Sequence, residues 1–115
     1  AELMRHTGDP AWLLDRGWRV ALLDIDAAGL PRAEASLEAP SRTLALVADV
    51  SDPAQVQAAV AKLEAAWGRL DALVNNAGIA IFKPLVETGF DEWRSVLATN
   101  LDGPFLCTQA CVPLM

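Results

Sequence analysis

Tyrosine is absent from the 115 residues of this chain, and cysteine occurs only twice. The first absence excludes any mechanism within these residues that uses a phenol as general acid, and the second excludes a disulfide framework or a cysteine-rich zinc site. Positive charge is also scarce, because nine Lys and Arg stand against fifteen Asp and Glu and leave a net charge of −6. A surface of that sign repels phosphate backbones, so nucleic acid is not an expected partner.

Long apolar runs are missing as well. No run approaches the roughly 20 residues of a membrane helix, and no signal-peptide pattern opens the sequence. We therefore expect no membrane partner, and the scarcity of cysteine favours a reducing cytoplasm. Hydrophobic residues nevertheless make up 53% of the chain and charged residues only 21%, which excludes a disordered tail. The length suits one small core, so we expect a single domain over residues 1–115.

Short apolar runs alternate with Ala-rich amphipathic stretches along the chain. The runs predict strands at residues 19–23, 43–47 and 72–74. The amphipathic stretches predict helices at residues 10–16, 31–39 and 53–67, and a last helical region that Thr88 caps. This alternation predicts an α/β fold, a partial Rossmann-like doubly wound parallel sheet of about three to four strands with flanking helices.

Acidic side chains follow two of the predicted strands. Asp24 comes directly after the first strand, and Asp49 lies just past the second. Ligands bind outside the carboxyl ends of the strands in open α/β sheets. A carboxylate at that place can accept hydrogen bonds from ribose hydroxyls and repels a 2′-phosphate. A solvated charge that merely closes a strand is the competing interpretation for each acid.

Two amides and two small residues follow the third predicted strand, in the order Asn75, Asn76, Ala77 and Gly78. The amides supply donors and acceptors without charge. Ala77 and Gly78 carry little bulk, so the backbone can come close to a flat ligand. An ordinary turn is the competing interpretation.

In their order and spacing, these motifs resemble the short-chain dehydrogenase/reductase family, and the resemblance runs from about residue 17 to residue 115. The stretch that ends in Asp24 and Ile25 resembles the family's second strand with its ribose-binding acid. Asp49 and Val50 resemble the loop that borders the adenine, and residues 75–78 match the family's Asn-Asn-Ala-Gly motif. Asn100 lies in a segment similar to the helix that holds the family's active-site Asn.

The resemblance implies an oxidoreductase that transfers a hydride between a nicotinamide cofactor and a small alcohol or ketone. The implied partners are therefore the dinucleotide, an alcohol or carbonyl substrate, and further copies of the chain in a homo-oligomer. No basic residue follows Asp24, since Ile25 and Asp26 come next. The prediction is therefore NAD rather than NADP as cofactor.

The chain also departs from the family pattern at both ends. Gly8 is the one matching glycine of the family's glycine-rich phosphate loop, and Asp9 adds a negative charge beside it. The family's catalytic Ser and its Tyr-x-x-x-Lys motif lie beyond the segment that ends here at Met115. Neither Lys62 nor Lys83 matches that motif. We expect a chain truncated at both ends and, taken alone, inactive.

Asn100 is the one residue that the resemblance places in catalysis, as a member of a proton relay. Pro104 lies four residues further on and lacks the N–H that would bond the Asn100 carbonyl in a helix. The sequence therefore predicts a bend with that carbonyl released, able to hold a water. The competing interpretation is an Asn that only stabilises a kink.

A non-catalytic α/β module, such as a receiver-like domain, is the alternative to an oxidoreductase. Asp24 and Asp26 would then form an acidic pair for Mg²⁺, although no Lys follows a later strand as a receiver requires. Cys107 and Cys111 are four residues apart, which suits neither a disulfide within one helix nor a complete metal site. We predict that both pack in the interior and that the chain has no metal site.

Overall fold

The computed structural model describes residues 9–115, so the prediction that Gly8 binds cofactor lies outside the described residues. The helices and strands, in chain order, are α1 (Pro10–Asp15), β1 (Val20–Asp24), α2 (Gly29–Ser36), β2 (Thr43–Val47), α3 (Pro53–Trp67), α4 (Phe90–Leu97) and α5 (Gly103–Cys111). A π-helical turn at Ala98–Asp102 joins α4 to α5, and short 3₁₀ turns lie at Leu85–Glu87 and Val112–Leu114.

β1 and β2 form a parallel sheet, with Val20 opposite Thr43 and Asp24 opposite Val47. Parallel neighbours need a crossover connection, which α2 supplies. The predicted α/β class, with a small parallel sheet and flanking helices, is confirmed.

Residues 72–74 form no strand in the part of the chain that the structure describes. The prediction of a third strand there is wrong for this part. A strand exists only where a neighbour supplies ladder hydrogen bonds. In the strand order of the family that the sequence resembles, that neighbour is the first strand, for which residues 3–6 are only a poor candidate, and those residues lie outside the described part of the chain.

The ends of α1 and α3 follow from local capping chemistry. Asp9 Oδ1 accepts a hydrogen bond of 3.0 Å from the Ala11 N–H, and Asp52 Oδ1 accepts one of 3.0 Å from the Ala54 N–H. α3 ends at Gly68, whose φ of 69° is the left-handed conformation that glycine adopts without strain. Both helices therefore match their predicted positions closely.

Two helix boundaries differ from prediction. α2 begins at Gly29 rather than at residue 31, because Asp26 Oδ1 accepts hydrogen bonds from the N–H groups of Ala28 (3.1 Å) and Gly29 (3.0 Å). It ends at Ser36 because Glu38 takes a left-handed conformation, φ 53°, which cannot continue a right-handed helix.

The cap of α4 also differs. Gly89, not Thr88, precedes the first turn, and the Gly89 N–H donates to Glu92 Oε1 at 3.1 Å. The Thr88 hydroxyl instead donates to the Pro84 carbonyl at 3.1 Å. The carboxylate of Glu92 accepts from Lys83 Nζ as well, at 2.9 Å, so Lys83 contacts the start of α4.

The core lies between the sheet and α3. Leu46 and Ala48 from the β2 segment meet Ala59 and Leu63 from α3, and all four are buried. Leu114 packs against the same cluster, and its carbonyl accepts from the Leu70 N–H at 3.1 Å. This contact anchors the end of the α4–α5 segment beside α3. Within residues 9–115, no helix is both long and apolar enough to cross a membrane.

Candidate functional site

The carboxyl ends of β1 and β2 form one edge that carries the predicted acids. The Ala48 N–H donates to the Asp24 carbonyl at 3.0 Å, so pairing continues to the last residue of β1. The side chain of Asp24 is exposed, and its Oδ1 accepts from the Asp26 N–H at 3.0 Å. Within the described residues, Oδ2 accepts no hydrogen bond. Asp24 therefore has a carboxylate oxygen that faces solvent and can accept from a ligand hydroxyl.

Ile25 is 66% exposed directly after Asp24. An exposed β-branched side chain beside a carboxylate offers an apolar surface next to an acceptor. A ligand that carries both a ring and hydroxyl groups suits this combination, since the ring can pack on Ile25 while a hydroxyl donates to Asp24.

Asp26 would be a Mg²⁺ ligand in the receiver-like interpretation of the sequence. In the structure its Oδ1 instead caps the start of α2. It bonds the N–H groups of Ala28 and Gly29, while its own N–H bonds Asp24. Asp26 thus fixes the loop that presents Asp24. No group of His, Cys, Asp and Glu able to hold a metal ion occurs in residues 9–115.

Asp49 is half-buried and has local partners. Its Oδ1 accepts from the Ser51 N–H at 2.9 Å and from the Ser51 hydroxyl at 2.7 Å. These hydrogen bonds, the hydroxyl's first, lower the pKa of Asp49 below its ordinary value. The Asp49 N–H donates to Gln55 Oε1 at 2.9 Å. Asp49 therefore orders the turn into α3, with Val50 half-buried beside it.

Residues 75–78 are all exposed and reach the helical segment through two contacts. Asn75 Nδ2 donates to Thr108 Oγ1 of α5 at 3.4 Å. At Gly78, a Cβ would lie 3.5 Å from Asn100 Oδ1, which is ordinary contact distance. Asn76 and Ala77 leave their side chains at the surface. The loop thus presents uncharged amide chemistry next to Asn100.

Both ends of the Asn100 amide are bound by a single residue. Asn100 Oδ1 accepts from the Ile79 N–H at 2.8 Å, and Asn100 Nδ2 donates to the Ile79 carbonyl at 2.8 Å. The side chain thus imitates a neighbouring β-strand and fastens the loop after Gly78 to the helix. We call this pair of hydrogen bonds the amide clamp.

Asn100 lies in the π-helical turn, which is the irregularity in the helical segment just before Pro104. The Gly103 N–H bonds the carbonyl of Ala98, five residues earlier. Pro104 has no N–H and so removes the donor that the Asn100 carbonyl would have in an α-helix. Where the sequence predicted a bend, the structure has a π-helical turn. Such turns occur frequently at functional sites.

The structure therefore groups the predicted residues into two clusters. Asp24, Ile25, Asp49 and Val50 lie at the sheet edge, whereas residues 75–78 join Asn100. Sequence reasoning missed the contributions of Ile79 and Gly103, and it named Asp26 only as a possible Mg²⁺ ligand. The order Asp-Ala-Ala-Gly at residues 26–29 is a local signal for the Asp26 cap, because an Asp side chain readily accepts hydrogen bonds from backbone N–H groups two and three residues further on. Nothing local marks Ile79 as the partner of Asn100.

Cys107 and Cys111 are free and buried in α5. Burial raises the pKa of both thiols, and the proximity of Cys107 raises that of Cys111 further. Both cysteines are packing residues, as predicted.

Comparison with known proteins identifies relatives over most of the chain. A family model described as enoyl-(acyl carrier protein) reductase matches residues 11–115. D-threitol dehydrogenase of Mycolicibacterium smegmatis is 41% identical over 96 residues, 83% of this chain. Meso-2,3-butanediol dehydrogenase of Serratia marcescens is 29% identical over 113 residues, 98% of this chain. The chain spans only 37% and 42% of the lengths of these two relatives.

A solved structure shares the fold. The crystal structure of a short-chain dehydrogenase/reductase, a glucose/ribitol dehydrogenase from Brucella melitensis, superposes with a TM-score of 0.87 at 31% identity. The match covers 91% of this chain and 44% of that one.

Proposed function

Since the chain belongs to the short-chain dehydrogenase/reductase family, we propose that its sheet edge holds the adenosine half of a nicotinamide dinucleotide in a hydride-transfer oxidoreductase. The observation that carries this proposal is the exposed carboxylate of Asp24 at the carboxyl end of β1, held in place by the Asp26 N–H. In dinucleotide-binding folds, the ribose binds at this edge of the parallel sheet, where an acidic side chain accepts hydrogen bonds from its hydroxyls.

Each residue of the edge has a separate task in this proposal. Asp24 accepts hydrogen bonds from the ribose hydroxyls through the oxygen that faces solvent. Ile25 covers one side of the adenine, and Val50 borders the other. The carboxylate of Asp24 repels a 2′-phosphate and no basic residue stands beside it, so NAD is the proposed cofactor rather than NADP.

Asn100 contributes through its main chain. Its side-chain amide is held in the amide clamp, so we assign the water-binding role to the carbonyl that Pro104 deprives of a helical donor. That carbonyl can accept from a water and so hold a proton carrier near the loop of residues 75–78. A bound nicotinamide supplies the hydride chemistry at such a site.

The proposed substrate of the whole protein is a small alcohol or carbonyl compound, the class to which D-threitol and meso-2,3-butanediol of the named relatives belong. The 115 residues contain no tyrosine and no lysine at a matching position. We therefore propose that these residues bind cofactor but do not catalyse turnover alone.

Self-association is the second part of the proposal. Large apolar side chains are strongly exposed in and before α4: Phe82 is 96%, Val86 94% and Phe90 70% exposed. Exposed apolar side chains that form a patch mark sites that associate with protein, so these three neighbouring stretches of exposed apolar residues support the proposal of a homo-oligomer. Two free thiols suit a reducing, cytoplasmic compartment.

The test of the cofactor site is a titration of the chain and its Asp24→Asn variant with adenosine, NAD and NADP. Asn keeps the acceptor for the Asp26 N–H but removes the charge. A hydrogen bond to a charged group contributes about 1.5–3 kcal/mol, so we expect adenosine to bind at least about tenfold more weakly. The preference for NAD over NADP should shrink, because the repulsion of the 2′-phosphate is lost.

Asp91→Asn is the matched control, since Asp91 is an exposed carboxylate in the first turn of α4, a helix that carries none of the proposed adenosine-binding residues. It should leave all three affinities unchanged. Equal adenosine affinity in the Asp24→Asn variant and the unaltered chain would refute the proposed site.

A further inference from the structure

Gly103 is a glycine within a nearly continuous helical segment, between the π-helical turn and α5. Glycine is less favourable than alanine inside a helix, because it loses more backbone freedom on folding. Gly103 adopts an ordinary helical φ of −55°, so conformation does not require glycine here. The residue is buried, which leaves packing as the reason for it.

The neighbour that excludes a side chain at Gly103 is Val50. A Cβ on Gly103 would lie 2.8 Å from Val50 Cγ2 and 3.3 Å from Val50 Cβ. The first distance is shorter than real Cβ contacts allow. Val50 is β-branched, so it has few rotamers with which to turn away. A methyl group at position 103 must therefore move the loop that carries Val50 or the helix that carries Gly103.

The two sides of this contact belong to the two clusters of the site. Val50 follows Asp49 at the sheet edge. The Gly103 N–H closes the π-helical turn by bonding Ala98, and that turn contains Asn100 with its amide clamp on Ile79. The contact between Gly103 and Val50 thus sets the distance between the sheet edge and the turn of Asn100.

We propose that Gly103 is a positioning residue, which couples the sheet-edge loop at Val50 to the π-helical turn that carries Asn100. The meaning of this coupling for catalysis rests on the proposed function, since that function places adenine at Val50 and the proton relay at Asn100. The coupling itself is a property of the chain without cofactor.

The experiment measures amide hydrogen exchange at Ile79 in the cofactor-free chain, for Gly103→Ala, Val50→Ala and the double variant. We expect exchange at Ile79 to rise about tenfold in Gly103→Ala, the effect of losing about one hydrogen bond of the clamp. Val50→Ala alone should leave the exchange unchanged. The double variant should return to the native rate, because the smaller side chain at position 50 makes room for the new methyl group.

The Gly68 N–H, bonded to the Glu64 carbonyl at the far end of α3, serves as the internal control and should exchange at an unchanged rate. If Gly103→Ala unfolds the chain, both amides lose protection, and the double variant must then restore both. Native exchange at Ile79 in Gly103→Ala, or a loss of protection that persists in the double variant, overturns the proposal.

Adenosine titration of the same variants separates this proposal from the proposed function. Weaker binding in Gly103→Ala, together with binding in the double variant equal to that of Val50→Ala alone, supports both. If hydrogen exchange follows the expected pattern but adenosine does not bind even to the unaltered chain, the two proposals separate. The coupling is then supported, and the cofactor site is refuted.

Discussion

Replacing Asn100 with Ala should destabilise the chain by removing the amide clamp. The variant loses two hydrogen bonds, each of 2.8 Å, between its side chain and the backbone of Ile79. A typical hydrogen bond contributes about 0.5–1.5 kcal/mol net. Both residues are exposed, so water replaces the lost partners and no buried group is left unsatisfied. We therefore expect a loss of about 1–2 kcal/mol in the free energy of unfolding.

Asn100→Asp separates the two hydrogen bonds of the clamp. The carboxylate still accepts from the Ile79 N–H, but it cannot donate and instead faces the Ile79 carbonyl. The Ile79 N–H favours the charged form, but the Ile79 carbonyl repels the carboxylate and accepts from the protonated group, so we expect the pKa of the new carboxyl to be higher in the folded than in the unfolded state. The destabilisation is then complete above the folded pKa and is relieved as the pH falls through it, because the protonated group donates to the Ile79 carbonyl.

The assay is urea denaturation of both variants and the unaltered chain at the same protein concentration and at several pH values. Asn76→Ala is the control, since Asn76 lies in the same exposed loop and its side chain makes no hydrogen bond within the described residues. The free energy of unfolding of this control variant should equal that of the unaltered chain. If Asn100→Ala is as stable as the unaltered chain, or Asn100→Asp gains nothing relative to it in acid, the clamp does not contribute as argued.

Three further outcomes follow from the structure and the composition. Purified chain should show no stereospecific NADH-dependent turnover of alcohols or ketones, because a missing general acid alone costs about 10²–10⁴-fold in rate. The lowered pKa of Asp49 means that its contribution to stability is full above the unfolded pKa and is lost as the pH falls through the folded one. Ser51→Ala should diminish that acid-side loss in denaturation curves. Sedimentation at micromolar concentration should reveal species larger than the 12.3 kDa chain, and a single monomeric species would contradict association through the exposed apolar surface.

The elements that could be predicted are those with complete local signals. α3 is the clearest case, since Asp52 caps it, Pro53 opens it and Gly68 closes it within one stretch of sequence. The place of an irregularity in the last helical region was also predictable, because Pro104 removes a donor at a definite position, although the sequence predicted a bend and not a π-helical turn. These signals act over at most a few residues, and so a single sequence contains them in full.

The elements that could not be predicted depend on partners distant in the chain. Ile79 bonds Asn100 across 21 positions, and its participation is purely main-chain, so no side chain identifies it. Residues 72–74 were predicted as a strand from their apolar character, but pairing depends on a neighbour that sequence periodicity does not reveal. The start of α4 moved by one residue because Glu92 reaches the Gly89 N–H, a choice between two adjacent caps.

The amide clamp explains why the side chain at position 100 matters even though the proposed function acts through a main-chain carbonyl. The backbone of Ile79 offers one donor and one acceptor, and Asn is the shortest side chain that supplies the complementary acceptor and donor at once. Asp lacks the donor, Ser is too short to span both groups, and Gln adds a methylene that must be accommodated in the same gap. Asn100 therefore fastens the loop while Pro104 offers its carbonyl no N–H, and in the proposed function the two residues together hold that carbonyl at a fixed place. A substitution at either position should change where that carbonyl lies without altering its chemistry.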